Sequence, residues 1–356
     1  MRSSNKKQCW YKNILLLFPF LAALLTGSPV FADGAITGSF GATTAPVVSG
    51  VVVHVAGTQQ MATTLNPQVS YDVKVTVSDA DGIGELDTVV VKLFADSSTN
   101  GSLWTQTDFN THTGNEQSSV VITWDRGTNT AVLNQGSGST WALVSSTLPT
   151  SLELADEDDI SHVFIYRLTI GKTALETKPT NEYHWHVGAL ATDSGELTGY
   201  DRLEYLTMNW FGEIDVPEGI VIDWGDLPPD TDFSDTIARE AVGQAFTYLT
   251  NGSHAYTVKS STAWNATEGG GTVYLSEDPL SDGGDHFALK AYSSDSLGDA
   301  VLFDEDGSSV NFATSGSGTT ESGASLSNQT LWIKLSDTMT SAKVYSGTIT
   351  FGIANN

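Results

Sequence analysis

Residues 71–78 read Tyr-Asp-Val-Lys-Val-Thr-Val-Ser, with apolar and polar side chains in strict alternation. Because successive side chains of a β-strand point to opposite faces, this pattern predicts a strand with one buried face and one wet face. The alternation returns through most of the sequence, and no long segment has a convincing helical period. The other main strand candidates are Val51–Val55, Val89–Leu93, Val120–Trp124, Val163–Leu168, Tyr183–Ala191, Leu203–Trp210, Phe287–Tyr292, Leu331–Leu335 and Tyr345–Ile353.

The strands fall into two blocks, separated by turn formers and acids at Phe211–Gly219. Strands without intervening helices predict antiparallel sheets, and two blocks of them predict two tandem β-sandwiches. We therefore expect an all-β protein whose first sandwich is Ig-like. The expected divisions are a signal peptide at 1–32, a flexible N-terminal segment at 33–50, an Ig-like sandwich with long loops at 51–212 and a second β-sandwich at 213–356.

Three finer expectations follow from local composition. The excess length of the first sandwich falls in the polar stretches Asp96–Gln117 and Gly127–Asp159, which we expect to be loops. Asn251-Gly252 lies between two alternating segments and predicts a β-hairpin. The only helix candidate is Asp235–Ala245, and its Val, Thr and Gly content disfavours a helix.

The first 32 residues have the three zones of a secretory signal peptide. Four basic residues precede the apolar run Ile14–Leu25, and a small-residue cleavage site ends at Ala32. The only cysteine, Cys9, lies ahead of the apolar run, so the mature chain has no thiol. No second apolar stretch of membrane length follows. We expect a secreted protein, extracellular or at the cell surface, without a membrane span and attached non-covalently or through partners.

The chain is strongly acidic, with 42 Asp and Glu against 16 Lys and Arg and a formal net charge of −26. Loss of the four basic leader residues leaves 12 Lys and Arg against the same 42 acids, a net charge of −30. This balance excludes a general nucleic-acid binder and disfavours docking on an anionic membrane. Copies of such a chain repel one another unless cations screen or bridge them, which makes calcium the candidate cofactor.

The most concentrated acids between two predicted strands are Asp79, Asp81, Glu85 and Asp87, within nine residues. Calcium takes six to eight oxygen ligands, and a flexible acidic turn offers several of them. The spacing is not that of an EF-hand loop. The alternative is a solvated turn in which Asp and Gly provide the backbone geometry.

A zinc site is a further alternative at His184 and His186, which share one face of a predicted strand. His162 is the candidate third ligand. The apolar residues Trp185 and Val187 are expected on the other, buried face of the strand, so the histidines are expected on its wet side.

Four Asn-x-Ser/Thr sequons predict glycosylation of exposed asparagines, at Asn100, Asn251, Asn265 and Asn328. The alternative is chance, because Asn, Ser and Thr are abundant in this chain. The tryptophans likewise allow two interpretations, exposed platforms for sugar rings or core side chains, and the core is the commoner fate. The residues concerned are Trp104, Trp124, Trp141, Trp264 and Trp332, of which Trp332 is the candidate for exposure.

Four segments resemble the Ig-like modules of archaeal and bacterial surface-layer and adhesion proteins. In the first block these are Val73–Leu93 and Trp185–Ser194, and in the second Ile222–Pro229 and Tyr345–Phe351, the latter two being similar to the terminal sandwich of such exported proteins. The resemblance is a pattern of strand and turn residues. It implies a β-sandwich fold and a surface location, and it implies no catalytic residues.

These observations predict a non-enzymatic extracellular or cell-surface structural protein, a component of a surface layer, matrix or filament. We expect it to associate with itself or with other surface proteins, through calcium-bridged acidic faces or through strand donation by Asp33–Gly50. The first alternative is a carbohydrate-binding adhesin that recognises cell-surface glycans. The second is a secreted hydrolase, although the sequence has no Gly-x-Ser-x-Gly, His-Glu-x-x-His or complete phosphate-loop motif.

Overall fold

The computed structural model describes residues 44–96, 105–111, 119–135, 140–177, 184–313, 316, 320–327, 329–339 and 343–356. They belong to one compact unit, Thr43–Asn356. The predicted signal peptide and most of the segment 33–50 lie outside the described residues. Strands dominate the fold, and the α-helices of the described part are short: α1 is Gln106–Thr111 and α2 is Pro279–Asp282. The all-β prediction is confirmed. No helix within the described ranges has the length and apolar character needed to cross a bilayer.

The first half is a sandwich of two sheets. Its strands are β1 Val47–Val55, β2 Thr64–Leu65, β3 Ser70–Ser78, β4 Leu86–Asp96, β5 Ser119–Asp125, β6 Thr130–Asn134, β7 Ala142–Thr147, β8 Ser161–Thr169, β9 His184–Asp193 and β10 Thr198–Met208. The front sheet has the order β1-β3-β8-β7, and the back sheet has the order β2-β10-β9-β4-β5-β6. All pairings are antiparallel except the short parallel contact of β2 with β10.

The alternation seen in the sequence builds the core between these sheets. Tyr71, Val73, Val75 and Val77 of β3 are all at most 3% exposed and face the inner side of the back sheet. From the back sheet, alternating residues of β4, β5 and β9 complete the same apolar cluster. Burial of this area is the main favourable term for the first half.

Two expectations about the first half are wrong. Val47–Ser49 were assigned to an unpaired segment, but they pair with Thr76–Ser78 at the start of β1. The stretch Gly127–Asp159 was expected to be loop, but it contains β6 and β7. Both are edge strands with mostly exposed side chains, and their apolar residues, Ala131–Leu133 and Ala142–Val144, are consecutive, so they lack the alternation that identifies the inner strands.

In the residues that the structure describes, the second half contains thirteen shorter strands around a second apolar cluster. They are β11 Gly212–Asp215, β12 Arg239–Ala241, β13 Phe246–Thr250, β14 His254–Ser260, β15 Ala263–Ala266, β16 Thr272–Leu275, β17 His286–Tyr292, β18 Val301–Leu302, β19 Val310–Asn311, β20 Thr320–Leu326, β21 Thr330–Leu335, β22 Tyr345–Ser346 and β23 Ile349–Asn355. They form three sheets, of orders β11-β13-β20, β12-β21-β17-β16-β15-β22 with β18 beside β17, and β19-β14-β23. One pairing, β16 with β17, is parallel.

The strand β13 does not form a hairpin with β14, so the prediction from Asn251-Gly252 is wrong. β13 pairs with β11 and β20, whereas β14 pairs with β19 and β23 in another sheet. The helix candidate Asp235–Ala245 is a single 3₁₀ turn, Thr236–Ala238, followed by β12. The division of the chain into two domains, 51–212 and 213–356, stays a prediction.

The link between β13 and β14 joins the two halves through Asn251, which is completely buried. Its side-chain Oδ1 accepts from the Phe211 N–H at 2.6 Å, and its Nδ2 donates to the carbonyls of Ala174 at 2.7 Å and Asn209 at 2.9 Å. Its backbone N–H donates to Phe211 O, and its carbonyl accepts from the Glu176 N–H. One residue of the second half therefore satisfies backbone groups on two segments of the first and on the connection between the halves.

The front sheet carries an ion pair on its outer side, between a buried carboxylate, Asp72, and a partly exposed guanidinium, Arg167. The Asp72 carboxylate, 5% exposed in the residue as a whole, accepts from Arg167 Nε at 2.7 Å, Arg167 Nη2 at 3.0 Å and the Gly57 N–H at 2.8 Å. The hydrogen bonds from Arg167 are the largest of the causes that lower the pKa of Asp72, and burial partly opposes them. This pair fixes the β1–β2 connection to the sheet.

The Asn251→Ala variant is expected to lose about 3 kcal/mol of unfolding free energy, because the backbone groups of Ala174, Asn209 and Phe211 lose a hydrogen-bond partner. The matched control is Asn265→Ala, at an exposed asparagine of β15, which is expected to change stability by less than about 0.5 kcal/mol. Chemical denaturation measures both. Equal losses in the two variants would contradict the assigned role of Asn251.

The Asp72→Asn variant is expected to lose about 2 kcal/mol at pH 7, since a charged, buried hydrogen-bond acceptor is removed. A carboxyl with a lowered pKa stabilises the fold above its unfolded pKa of about 4, and this contribution is lost as pH falls through the lowered value. The difference between parent and variant should therefore vanish in strong acid. Denaturation curves across pH test this, with Asp215→Asn, at an exposed strand position, as control. A difference independent of pH would refute it.

Candidate functional site

The acidic turn lies at one end of the sandwich, between β3 and the 3₁₀ turn Ile83–Glu85 that precedes β4. Asp79 is 2% exposed, whereas Asp81, Glu85 and Asp87 are exposed. The Oδ1 atom of Asp79 accepts from the Asp81 N–H at 2.9 Å, and its Oδ2 atom is buried without a hydrogen-bond partner. The Asp81 carboxylate instead accepts from the backbone and hydroxyl of Thr44, at 2.6 and 2.9 Å.

A fifth acid, Asp193 at the end of β9, faces the same region and was missed in the sequence, because it lies more than a hundred residues away along the chain. It is 4% exposed, and its Oδ1 accepts from the Gly195 and Leu197 N–H groups. Burial is the first cause of the raised pKa of Asp79, and the charges of Asp81, Asp193 and Glu85 raise it further.

The structure does not gather the predicted calcium ligands around one point. Among the residues that it describes, no three His, Cys, Asp or Glu side chains come close enough together to hold a metal ion. Asp87 is the second residue of β4, and its carbonyl accepts from the Arg126 N–H. Calcium binding by Asp79, Asp81, Glu85 and Asp87 stays a prediction.

The histidines of β9 lie on the outer face of the back sheet, where His184 is partly exposed and His186 is buried, so the expected wet position is wrong for His186. His186 is 4% exposed and stacks on Phe94 with ring centroids 5.5 Å apart. His162 lies in the front sheet, where its Nδ1 is 3.2 Å from Glu153 Oε1. It therefore cannot be the third ligand to a zinc ion held by His184 and His186.

Beside these histidines, β10 has a β-bulge that sequence reasoning also missed. The register of β10 against β9 shifts between Leu203 and Leu206, so that Glu204 and Tyr205 together oppose His186. Tyr205 has a left-handed φ of 66°, an unusual conformation for an aromatic residue, and is 54% exposed. The centroid of its ring lies 5.4 Å from that of His184 and 6.0 Å from that of His186, in edge-to-face geometry.

The described tryptophans of the sugar-platform alternative are all core residues. Trp124, Trp141, Trp264 and Trp332 are 0 to 8% exposed, and Trp104 lies outside the described residues. Trp332, the candidate for exposure, is buried because β21 is covered on both faces, and it pairs with Arg239 of β12.

The two sequons in the described part of the chain differ in exposure. Asn265 is exposed on β15 and can accept a glycan. The expected exposure of Asn251 is wrong, because the side chain is buried at the junction and its amide nitrogen donates two hydrogen bonds. Asn100 and Asn328 lie outside the described residues. Glycosylation itself stays a prediction.

Comparisons with known proteins do not assign the chain to a family. No family model and no curated protein matches the sequence. Among solved structures, the chain is similar to the major pilin subunit BcpA of Bacillus cereus, with 9% identity, a TM-score of 0.23 and coverage of 83% of this chain and 68% of the pilin. It is also similar to red sea bream transglutaminase, with 12% identity, a TM-score of 0.19 and coverage of 87% of this chain and 31% of the enzyme. At these scores neither likeness extends to a function.

The Asp79→Asn variant is expected to stabilise the protein by about 1 kcal/mol at pH 7 without divalent cations, because it removes a buried negative charge that lies near the carboxylates of Asp81, Asp193 and Glu85. A carboxyl with a raised pKa weakens the folded state as pH rises above its unfolded value of about 4, so the gain should disappear in acid. Thermal unfolding at pH 7 and in acid measures this gain in stability.

The control is Asp87→Asn, an exposed acid of the same turn, which should leave stability unchanged. A destabilised Asp79→Asn protein would contradict the electrostatic assignment. If calcium binds through Asp79, added calcium raises the melting temperature of the parent and not that of the variant. No calcium shift in the parent would remove the predicted calcium site.

Proposed function

We propose that this protein is a non-enzymatic, exported structural component of a cell surface or extracellular matrix. The observation that carries the proposal is the junction at Asn251, which joins two apolar cores into one unit through buried hydrogen bonds. A buried junction of this kind resists bending, because opening it leaves backbone groups without partners. Two sandwiches held in this way act as a stiff spacer.

The acidic surface supports a role in cation-dependent assembly. With 42 acids in the chain, copies repel one another at low ionic strength. Divalent cations that bridge or screen carboxylates remove this repulsion, so assembly follows the calcium concentration. The exposed acids of the turn, Asp81, Glu85 and Asp87, are available for such bridges.

Strand donation by the N-terminal segment needs a free sheet edge in the acceptor copy. The β1 edge is crowded: a Cβ atom on Gly199 of β10 would lie 2.0 Å from Pro46 O, just before β1. At the opposite edge of the front sheet, β7 pairs with β8 on one side, and no described strand pairs with its other side. Edge strands recruit extended segments by backbone hydrogen bonding, which makes β7 the acceptor. Since Val47–Ser49 pair within their own chain, residues 33–43 are the donor.

The experiment compares the purified exported chain with a variant that lacks residues 33–43. Electron microscopy and analytical ultracentrifugation are done with calcium and with a chelator. The parent is expected to polymerise in millimolar calcium and to dissociate on chelation, and the shortened chain to stay monomeric with an unchanged melting temperature. A parent that is monomeric under all conditions would overturn the structural role. A shortened chain that still polymerises would refute strand donation alone.

A further inference from the structure

The β10 bulge combines features that the structural role leaves unexplained. Tyr205 is held in a left-handed conformation that is strained in a non-glycine residue. The same residue exposes more than half of its surface. The exposed part of this aromatic side chain, on the outside of a sheet, gains nothing from burial. Strain and β-bulges of this kind concentrate at binding sites, where they aim a side chain.

The surroundings of Tyr205 fix its ring. His184 and His186 meet it edge to face from the neighbouring strand, and His186 is itself stacked on Phe94 of β4. The Tyr205 ring, here called the platform, is therefore supported by two successive layers of rings, and its remaining surface is exposed to solvent. A ring fixed before binding loses little conformational entropy when a ligand stacks on it.

Polar groups lie directly beside the platform. Tyr200–Glu204 line an open pocket of about 400 Å³. Within it, Arg202 Nε is 2.6 Å from Glu204 Oε1, and the two side chains are only 23% and 15% exposed. The pair places several N–H donors and carboxylate acceptors in fixed positions.

This chemistry fits a neutral, hydroxyl-rich ring better than other ligands. The charges of Arg202 and Glu204 compensate each other, which disfavours a strongly charged ligand such as a phosphate. A proline-rich peptide needs an aromatic-lined apolar groove, whereas this pocket is lined by charged groups. A sugar ring presents C–H groups on one face, which pack on an aromatic ring, and hydroxyls at its edge, which match adjacent donors and acceptors.

We infer that the outer face of the back sheet, at Tyr205, Arg202 and Glu204, binds a neutral carbohydrate ring. This site is independent of the polymerisation proposed above. In an exported protein without a membrane-spanning helix in its described part, it provides a non-covalent attachment to a glycan surface.

Titration calorimetry of the full exported chain tests the inference, with three probes at millimolar concentration: a β-1,4-glucose pentamer, a β-1,4-N-acetylglucosamine pentamer and an α-mannose pentamer. The informative variant is Tyr205→Gly. Glycine adopts a left-handed φ without strain, so this variant should keep or raise the melting temperature. It should weaken binding at least about tenfold, the loss expected for truncation of an aromatic anchor.

Two controls separate the platform from general effects. Tyr205→Phe keeps the ring and should bind nearly as well as the parent. Tyr274→Ala removes another half-exposed tyrosine, in the second half of the chain, and should not change binding. Failure of all three sugars to bind, or binding that survives Tyr205→Gly, would overturn the inference. Binding of a polyproline peptide in place of the sugars would overturn the assignment to carbohydrate.

Discussion

The two halves of the molecule are held together by a polar group that has no access to water. A buried amide costs several kcal/mol unless each of its donors and acceptors is paired, and Asn251 meets this condition only when segments from both halves are in place. The same requirement explains why Thr250–Ser253 connects strands of different sheets. The connection is bent around its buried side chain rather than closed into a local turn.

The alternation of side chains predicted the all-β fold and the inner strands well, because burial of one face leaves a strong and local sequence signal. The errors have one cause: features that depend on distant segments. Asn251-Gly252 has the composition of a hairpin, but its partners lie at Ala174, Asn209 and Phe211. Trp332 and His186 alternate as outward residues should, yet further layers cover both. Edge strands β6 and β7 carry short runs of consecutive apolar residues, Ala131–Leu133 and Ala142–Val144, without alternation, so local sequence does not mark them as strands.

The candidate sites also combine features that local sequence predicts with features that depend on distant segments. The sequence identified Asp79 as a member of an acidic turn, and its burial against Asp193 depends on the pairing of β4 with β9. It identified His184 and His186 as a pair on one face. The bulge that places Tyr205 against these histidines arises from a register shift, which no local sequence pattern indicates. Places where local preference and fold disagree, such as a left-handed tyrosine and a buried carboxylate with one unpaired oxygen, are where function concentrates.

The central claim is that the two cores form one stiff unit through the Asn251 junction, and native-state hydrogen exchange tests it most directly. The Phe211 and Glu176 N–H groups donate to Asn251, and their protection reports the opening of the junction. The account predicts that both amides exchange only by global unfolding, with the same opening free energy as central amides of β3 and β17. Fast exchange of these two amides while both cores stay protected would show that the halves move independently, and would contradict the account.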